Sequence, residues 1–210
     1  MNREKIKSGF YLELIRTVFQ AVDEQGKLRN RVVAVTSATS GEGVSHVVKL
    51  LAEELAAQTQ NRVLRVEAGA LQEMQVTDPA KVARLCEETE IDNLLMLSAV
   101  ESAPAVRVVG GSRRASAWES TPEYRAECLK ALRWNFDYVL IDCPSPAASS
   151  EATTLAPLVD GVCVVVKAGQ TRRGQLQRCQ QMIENAGGNF LGFILNQRKY
   201  PVPNWLYRRL

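Results

Sequence analysis

The sequence predicts an α/β fold: a doubly wound, mostly parallel sheet flanked by helices. Short runs rich in valine, isoleucine and leucine alternate with longer helical patterns along the chain. Several of these runs are apolar at consecutive rather than alternating positions, as a strand covered on both faces requires. The connections are short, and 210 residues give room for one full domain with a sizeable core. The expected organisation is a single domain over 1–210, with an N-terminal helical arm over 1–30 and a basic tail over 197–210.

The first helix is expected from about Phe10 to Val22. Its apolar residues Phe10, Tyr11, Leu12, Leu14, Ile15, Val18, Phe19 and Val22 wrap most of the circumference, whereas a helix lying on a surface needs a single stripe. Two readings fit: both faces buried in its own domain, or one face set against a neighbouring subunit. Strands are then expected at 31–37, 62–68, 93–99, 137–143, 161–168 and 190–196, and helices at 44–59, 121–134 and 171–186. The second of these helices opens with Ser120, Thr121 and Pro122, a capping residue followed by a proline whose missing N–H costs nothing in the first turn. The third opens at Thr171 and stops at Gly187 and Gly188. The segment 100–119, with two glycines and three arginines, reads as a loop that is either a solvated connection or a lid.

Composition excludes several classes. Apolar residues make up 46% and charged residues 23%, ordinary globular values that argue against disorder. The five cysteines form no CxxC pair, and the single His46 cannot complete a zinc site, so reduced, packed thiols are expected. No stretch reaches the roughly 20 apolar residues of a membrane-spanning helix, and MNREKIKSG lacks the apolar centre of a signal peptide. A cytoplasmic protein follows, and no nucleic-acid partner is expected. Residues 197–210 hold Arg198, Lys199, Arg208 and Arg209 and no acid, while the rest carries 22 basic and 23 acidic residues. Such a tail could place the protein peripherally at the inner face of a membrane, each charge contributing about 1 kcal/mol near anionic lipid. A solvated or docked tail fits equally well.

Two stretches carry chemistry. In SATSGEGVSHVV, Gly41 and Gly43 follow a strand and Ser45 opens a helix, the context in which backbone N–H groups converge on phosphate. The motif GxxxxGK[ST] fails at two positions, with Ala38 for the first glycine and Val44 for the lysine that neutralises β- and γ-phosphate charge. On its own, the stretch fits a structural strand-to-helix turn as well as a phosphate loop. The other is FDYVLIDCPSP, which sets Asp142 at the carboxyl edge of the sheet, where α/β proteins bind ligands and a carboxylate can hold Mg²⁺.

In this order, the pieces resemble the cytoplasmic bacterial protein-tyrosine kinases of capsule and exopolysaccharide assembly, relatives of the MinD and ParA ATPases in the P-loop class. FYLELIRTVF is similar to that family's helix carrying ExxRxxR, here Glu13, Arg16 and Phe19. RVLRVEAGAL matches its second acidic strand end, with Glu67 and Gly69 for the two acids, and GFILNQRKYPVPNWLYRRL its closing strand and tyrosine-bearing tail, reduced to Tyr200 and Tyr207.

The resemblance implies a P-loop NTPase-like fold with ATP or ADP and Mg²⁺ over Gly41, Glu42, Gly43, Val44, Ser45 and His46. It implies Mg²⁺ held by Ser45 and Asp142, Glu67 in place of the catalytic base, and Asn196 near the nucleobase. It also implies a membrane-bound polysaccharide co-polymerase-type adaptor and self-association through Glu13, Arg16 and Phe19. Where the chain departs from the pattern, a degenerate kinase is expected; an active autokinase and a MinD- or ParA-like switch are the alternatives. His46 could place positive charge near phosphates or be simply a polar turn residue. Arg65, two residues from Glu67 on one strand face, could pair with it and hold it off the metal, or form a purely structural pair.

Overall fold

The structure, a computed structural model, describes residues 3–20, 22, 25–26, 31–74, 77–98 and 121–197, with side chains from Tyr11 onward except 72 and 73. The expected loop at 100–119 with its arginines, and the tail beyond Gln197 with Tyr200 and Tyr207, lie outside these residues.

Strands β1 (Val32–Ser37), β2 (Val63–Glu67), β3 (Glu87–Glu88), β4 (Leu94–Leu97), β5 (Tyr138–Asp142), β6 (Gly161–Lys167) and β7 (Phe190–Asn196) form one sheet in the order β3-β4-β2-β5-β1-β6-β7. Every pairing is parallel except β3 with β4. The consecutive-apolar reading holds, since β1 is buried at all six positions and β6 at its first six. Because side chains alternate across a strand, the two faces feed two cores. Val33, Val35, Val63, Leu140 and Val165 pack beneath α1 (Arg3–Val18) and α2 (Val44–Thr59). Val32, Ala34, Val66, Ile141 and Val164 pack beneath α5 (Pro122–Asn135), α6 (Glu151–Leu155) and α7 (Arg173–Asn185), with short helices α3 (Ala68–Glu73) and α4 (Pro79–Val82) at their margin. Helices α3, α4 and α6 and the two-residue strand β3 are absent from the sequence expectation because each is too short to show a period.

Capping follows local chemistry. The Thr121 hydroxyl accepts the Tyr124 N–H at 3.2 Å, with Pro122 in the first turn. For α7 the cap position is Arg172 rather than Thr171, and the Arg172 N–H donates to Gln175 Oε1 at 2.9 Å. Thr171 turns inward, for a reason given below.

The first helix corrects an expectation. Ile15, Val18 and Phe19 are buried under the sheet, and the Phe19 ring meets Tyr138 edge-on with centroids 5.8 Å apart. Phe19 belongs to the chain's own core and offers no surface to another subunit, whereas Glu13 and Arg16 are exposed. Sequence reasoning placed Phe19 in an association motif because its spacing matched; burial decided its role.

At the amino edge of the sheet one carboxylate ties three elements. Asp160 accepts two hydrogen bonds from Arg133, at 2.9 and 2.8 Å, and the main-chain N–H groups of Arg31 and Val32, both at 2.7 Å. The Arg31 guanidinium in turn donates to the carbonyls of Asp137 and Phe136. Burial pushes the Asp160 carboxyl up, but these donors and the Arg133 charge outweigh it and hold it below the usual range. A depressed carboxyl contributes stability above its unfolded pKa and loses it as pH falls through the folded one. Asp160→Asn should therefore cost about 2 kcal/mol in urea denaturation at pH 7, and the gap to the unmodified protein should narrow as pH drops below the carboxylate range.

Phe19→Arg, which completes the ExxRxxR spacing, should destabilise the chain by about 4 kcal/mol through lost packing and a buried charge. Denaturation beside light scattering checks this. A stably folded variant of larger assembly size would contradict it.

Candidate nucleotide site

The carboxyl ends of β1, β2 and β5 open into a cleft of about 500 Å³ lined by Ser40, Gly41, Gly43, Val44, Ser45, His46, Glu67, Gly69, Asp142 and Ser145, among others. Gly41 and Gly43 adopt φ of +83° and +88°, a region that L side chains rarely enter. At Gly43 space is limiting as well, since a Cβ would lie 2.6 Å from Asn196 Nδ2. Both glycines are therefore required by the loop's path, and α2 begins directly behind them.

Parallel register sets the acidic pair. Glu67 is the pairing partner of Asp142 on neighbouring strands, so their side chains leave the sheet on one face, that of α2. Ser45, in the first turn of α2, brings its hydroxyl towards Asp142 and favours the ionised carboxyl. Burial pushes the Asp142 carboxyl up; the Ser45 hydrogen bond opposes this, the Glu67 charge adds to it, and Arg65 opposes it, with a net rise. The pair is thus two like charges that gain from an added cation. Ser45 and Asp142 fit Mg²⁺, a hydroxyl and a carboxylate side by side at the start of a helix. Such an ion would shield phosphate charge, and the loop's N–H groups would orient the phosphates. Among the described residues, no group of three or more His, Cys, Asp or Glu side chains gathers into a metal site, so the remaining ligands would be phosphate oxygens and water.

The sequence-chosen residues take different places around this cleft. Val44 lines the cleft and packs on the α1–α2 core, where its methyls supply no charge. His46 lines the rim and is exposed, in the first turn of the helix behind the loop. Glu42 does not line the cleft: it is 2% exposed, with its carboxylate turned inward. Asn196 donates from Nδ2 to the Glu42 carbonyl at 2.9 Å, and its Oδ1 accepts the Gln197 N–H at 2.8 Å, so its amide is engaged by main chain. Arg65 donates to the Met96 thioether and lines an adjoining cleft with Lys49 and Glu53, while its charge still reaches Asp142.

Sequence reasoning missed Ser145, buried with its hydroxyl 3.5 Å from that of Ser40, and Thr171, which donates to Glu42. The proline-flanked PSP turn was the available signal for the first. A partner 129 residues away leaves no local signal for the second.

Comparison with known proteins places this geometry. No protein-family model matches the chain. It is 25% identical to the tyrosine-protein kinase CpsD of Streptococcus agalactiae over 93% of its own length and 86% of the relative's. Among solved structures, the VpsO kinase domain superposes with a TM-score of 0.66 at 21% identity, covering 93% of this chain and 98% of that one. The septum site-determining protein MinD of Pyrococcus horikoshii, complexed with Mg-ADP, superposes with a TM-score of 0.57 at 19% identity over 85% and 76% of the two chains. The fold is the one shared by the VpsO kinase domain and MinD.

The acidic pair makes a testable statement. A carboxyl raised on folding costs stability once pH exceeds its unfolded pKa. Asp142→Asn should raise the thermal midpoint of the ligand-free protein at pH 7, and the difference should shrink as pH falls below the carboxylate range. A lowered midpoint at pH 7 would show that the carboxylate is stabilising.

Proposed function

Taking as premise that the chain is a homologue of the bacterial CpsD tyrosine-protein kinases, we propose that it is a degenerate kinase of capsule or exopolysaccharide assembly. In this reading it regulates chain length or export by docking on a membrane-bound co-polymerase-type adaptor, not by phosphoryl transfer. One observation carries the proposal: among the described residues, those lining the cleft include two carboxylates and neither lysine nor arginine, with Val44 where the phosphate-neutralising ammonium belongs. Glu67 extends its carboxylate one methylene beyond an aspartate, and Gly69 supplies none. A displacement of about 1 Å at a reacting centre can cost roughly a hundredfold in rate. Glu13 and Arg16 on the outer face of α1 are the candidates for a weak self-association.

An active ATP-dependent autokinase is the second reading, favoured by Ser45 and Asp142 lining one cleft, which keeps the metal side of the site assembled. Titration with a fluorescent ATP analogue and Mg²⁺, beside Val44→Lys, separates the two. Val44 is half-buried at the cleft rim, and a lysine there can lay its stem along the same apolar surface while extending its ammonium into the cleft. The unmodified protein is expected to bind weakly and transfer no phosphate, and Val44→Lys to gain at least about tenfold in affinity, about 1.4 kcal/mol. Micromolar, Mg-dependent binding with phosphate transfer by the unmodified protein would overturn the degenerate-kinase reading.

A further inference from the structure

The glycine loop holds a carboxylate that the proposed function does not use. Glu42 lies between the two left-handed glycines, at the point of the loop with the most backbone freedom, yet it is 2% exposed. Its carboxylate and its carbonyl are both committed. Oε2 accepts the Thr39 N–H at 3.0 Å, Oε1 accepts the Thr171 hydroxyl, and the main-chain carbonyl accepts Asn196 Nδ2 at 2.9 Å. The partners are themselves anchored: Thr171 Oγ accepts the Lys167 N–H at 3.1 Å, and Asn196 Oδ1 accepts the Gln197 N–H. One loop residue is thereby fastened to the turn after β6 and to the end of β7. Asn196 also fills the space that a side chain at position 43 would need.

We propose that Glu42 is a positioning residue. With Thr171 and Asn196 it forms a strut that holds residues 39–43 in the open, anion-accepting shape with no ligand bound. The physical argument is the cost of leaving the loop free: two glycines with positive φ populate many backbone states, and a bound phosphate would have to select one of them. Each of these hydrogen bonds lies at a residue closed off from solvent, so breaking one strands a buried polar group. The strut therefore supplies order that loops of this kind otherwise gain from phosphate. It also explains why the Thr171 hydroxyl does not cap α7. The ordering claim stands on these contacts alone; its consequence for phosphate binding rests on the nucleotide-site reading.

Charge and geometry at Glu42 can be separated. Glu42→Gln keeps an acceptor for Thr39 and a polar partner for Thr171 while removing the charge, whereas Glu42→Ala removes both. Thr171→Val removes one leg at a half-exposed position and leaves the charge. In the ligand-free chain of 210 residues, amide hydrogen exchange at Thr39 should accelerate by about tenfold or more in Glu42→Ala and in Thr171→Val. It should stay near the unmodified rate in Glu42→Gln, with Val33 and Val35 in β1 unchanged in all three. Affinity for Mg-pyrophosphate should fall in the same two variants and persist in Glu42→Gln. An unchanged Thr39 rate in Glu42→Ala, or a Glu42→Gln variant that exchanges like Glu42→Ala, overturns the strut. If the unmodified protein shows no pyrophosphate binding while the exchange pattern appears, the strut stands and the nucleotide-site reading falls.

Discussion

Burial of the parallel sheet on both faces is the constraint from which the rest follows. The central strands are covered by α1 and α2 on one side and by α5, α6 and α7 on the other, so ligand-facing groups there lie at the carboxyl edge. Register then fixes which side chains meet there. Glu67 and Asp142 are neighbours because β2 and β5 pair without slippage from Val63 with Tyr138 onward, and a one-residue shift would send one of them to the opposite face. Ser45 reaches Asp142 because the loop after β1 carries α2 over that same face. At the opposite edge Asp160, Arg31 and Arg133 close the amino ends of the central strands with charge-assisted hydrogen bonds.

Magnitudes show how the cradle and the charge can part company. Replacing a lysine ammonium by Val44 forfeits a charge–charge attraction worth about 4 kcal/mol at 4 Å and an effective dielectric of about 20. Each N–H of the loop aimed at a phosphate oxygen is worth about 1.5–3 kcal/mol, because the acceptor is charged. Two or three such bonds can still hold a phosphate without the lysine, though more weakly than with it. They do not neutralise charge that builds on a leaving oxygen, which is where catalysis needs differential stabilisation. A loop that keeps its backbone geometry and loses its ammonium is therefore expected to lose turnover before it loses binding.

The fold was legible because its signals are local and repeated. Consecutive valines in VVAVTS and GVCVVVK mark strands buried on both sides, the glycines of SGEGVS mark a turn with positive φ, and the acid ending DYVLID marks the sheet's carboxyl edge. The site was legible as a set of positions but not as a set of roles. Phe19 matched a motif spacing, yet lies against Tyr138, since a wide apolar arc on α1 says that the helix is buried without saying which residue points inward. Glu42 read as a cleft residue and Asn196 as a contact for a base. Both roles depend on pairings across 129 and 154 residues, which no window on the chain contains. The short helix α3 escaped for the opposite reason, because six residues after Glu67 hold too few turns to display a period.

The same long-range pairings bear on how a chain only 25% identical to its kinase relatives keeps this loop in shape. Two glycines with positive φ make a loop costly to order unless neighbouring groups fix it. In this chain the fixing groups lie outside the loop, in the turn after β6 and at the end of β7. Core packing that holds those two strands together therefore also holds the cradle. The cradle can then persist with or without phosphoryl transfer. On this argument, intact loop geometry is weak evidence for activity, and the charge inventory of the cleft is the stronger guide.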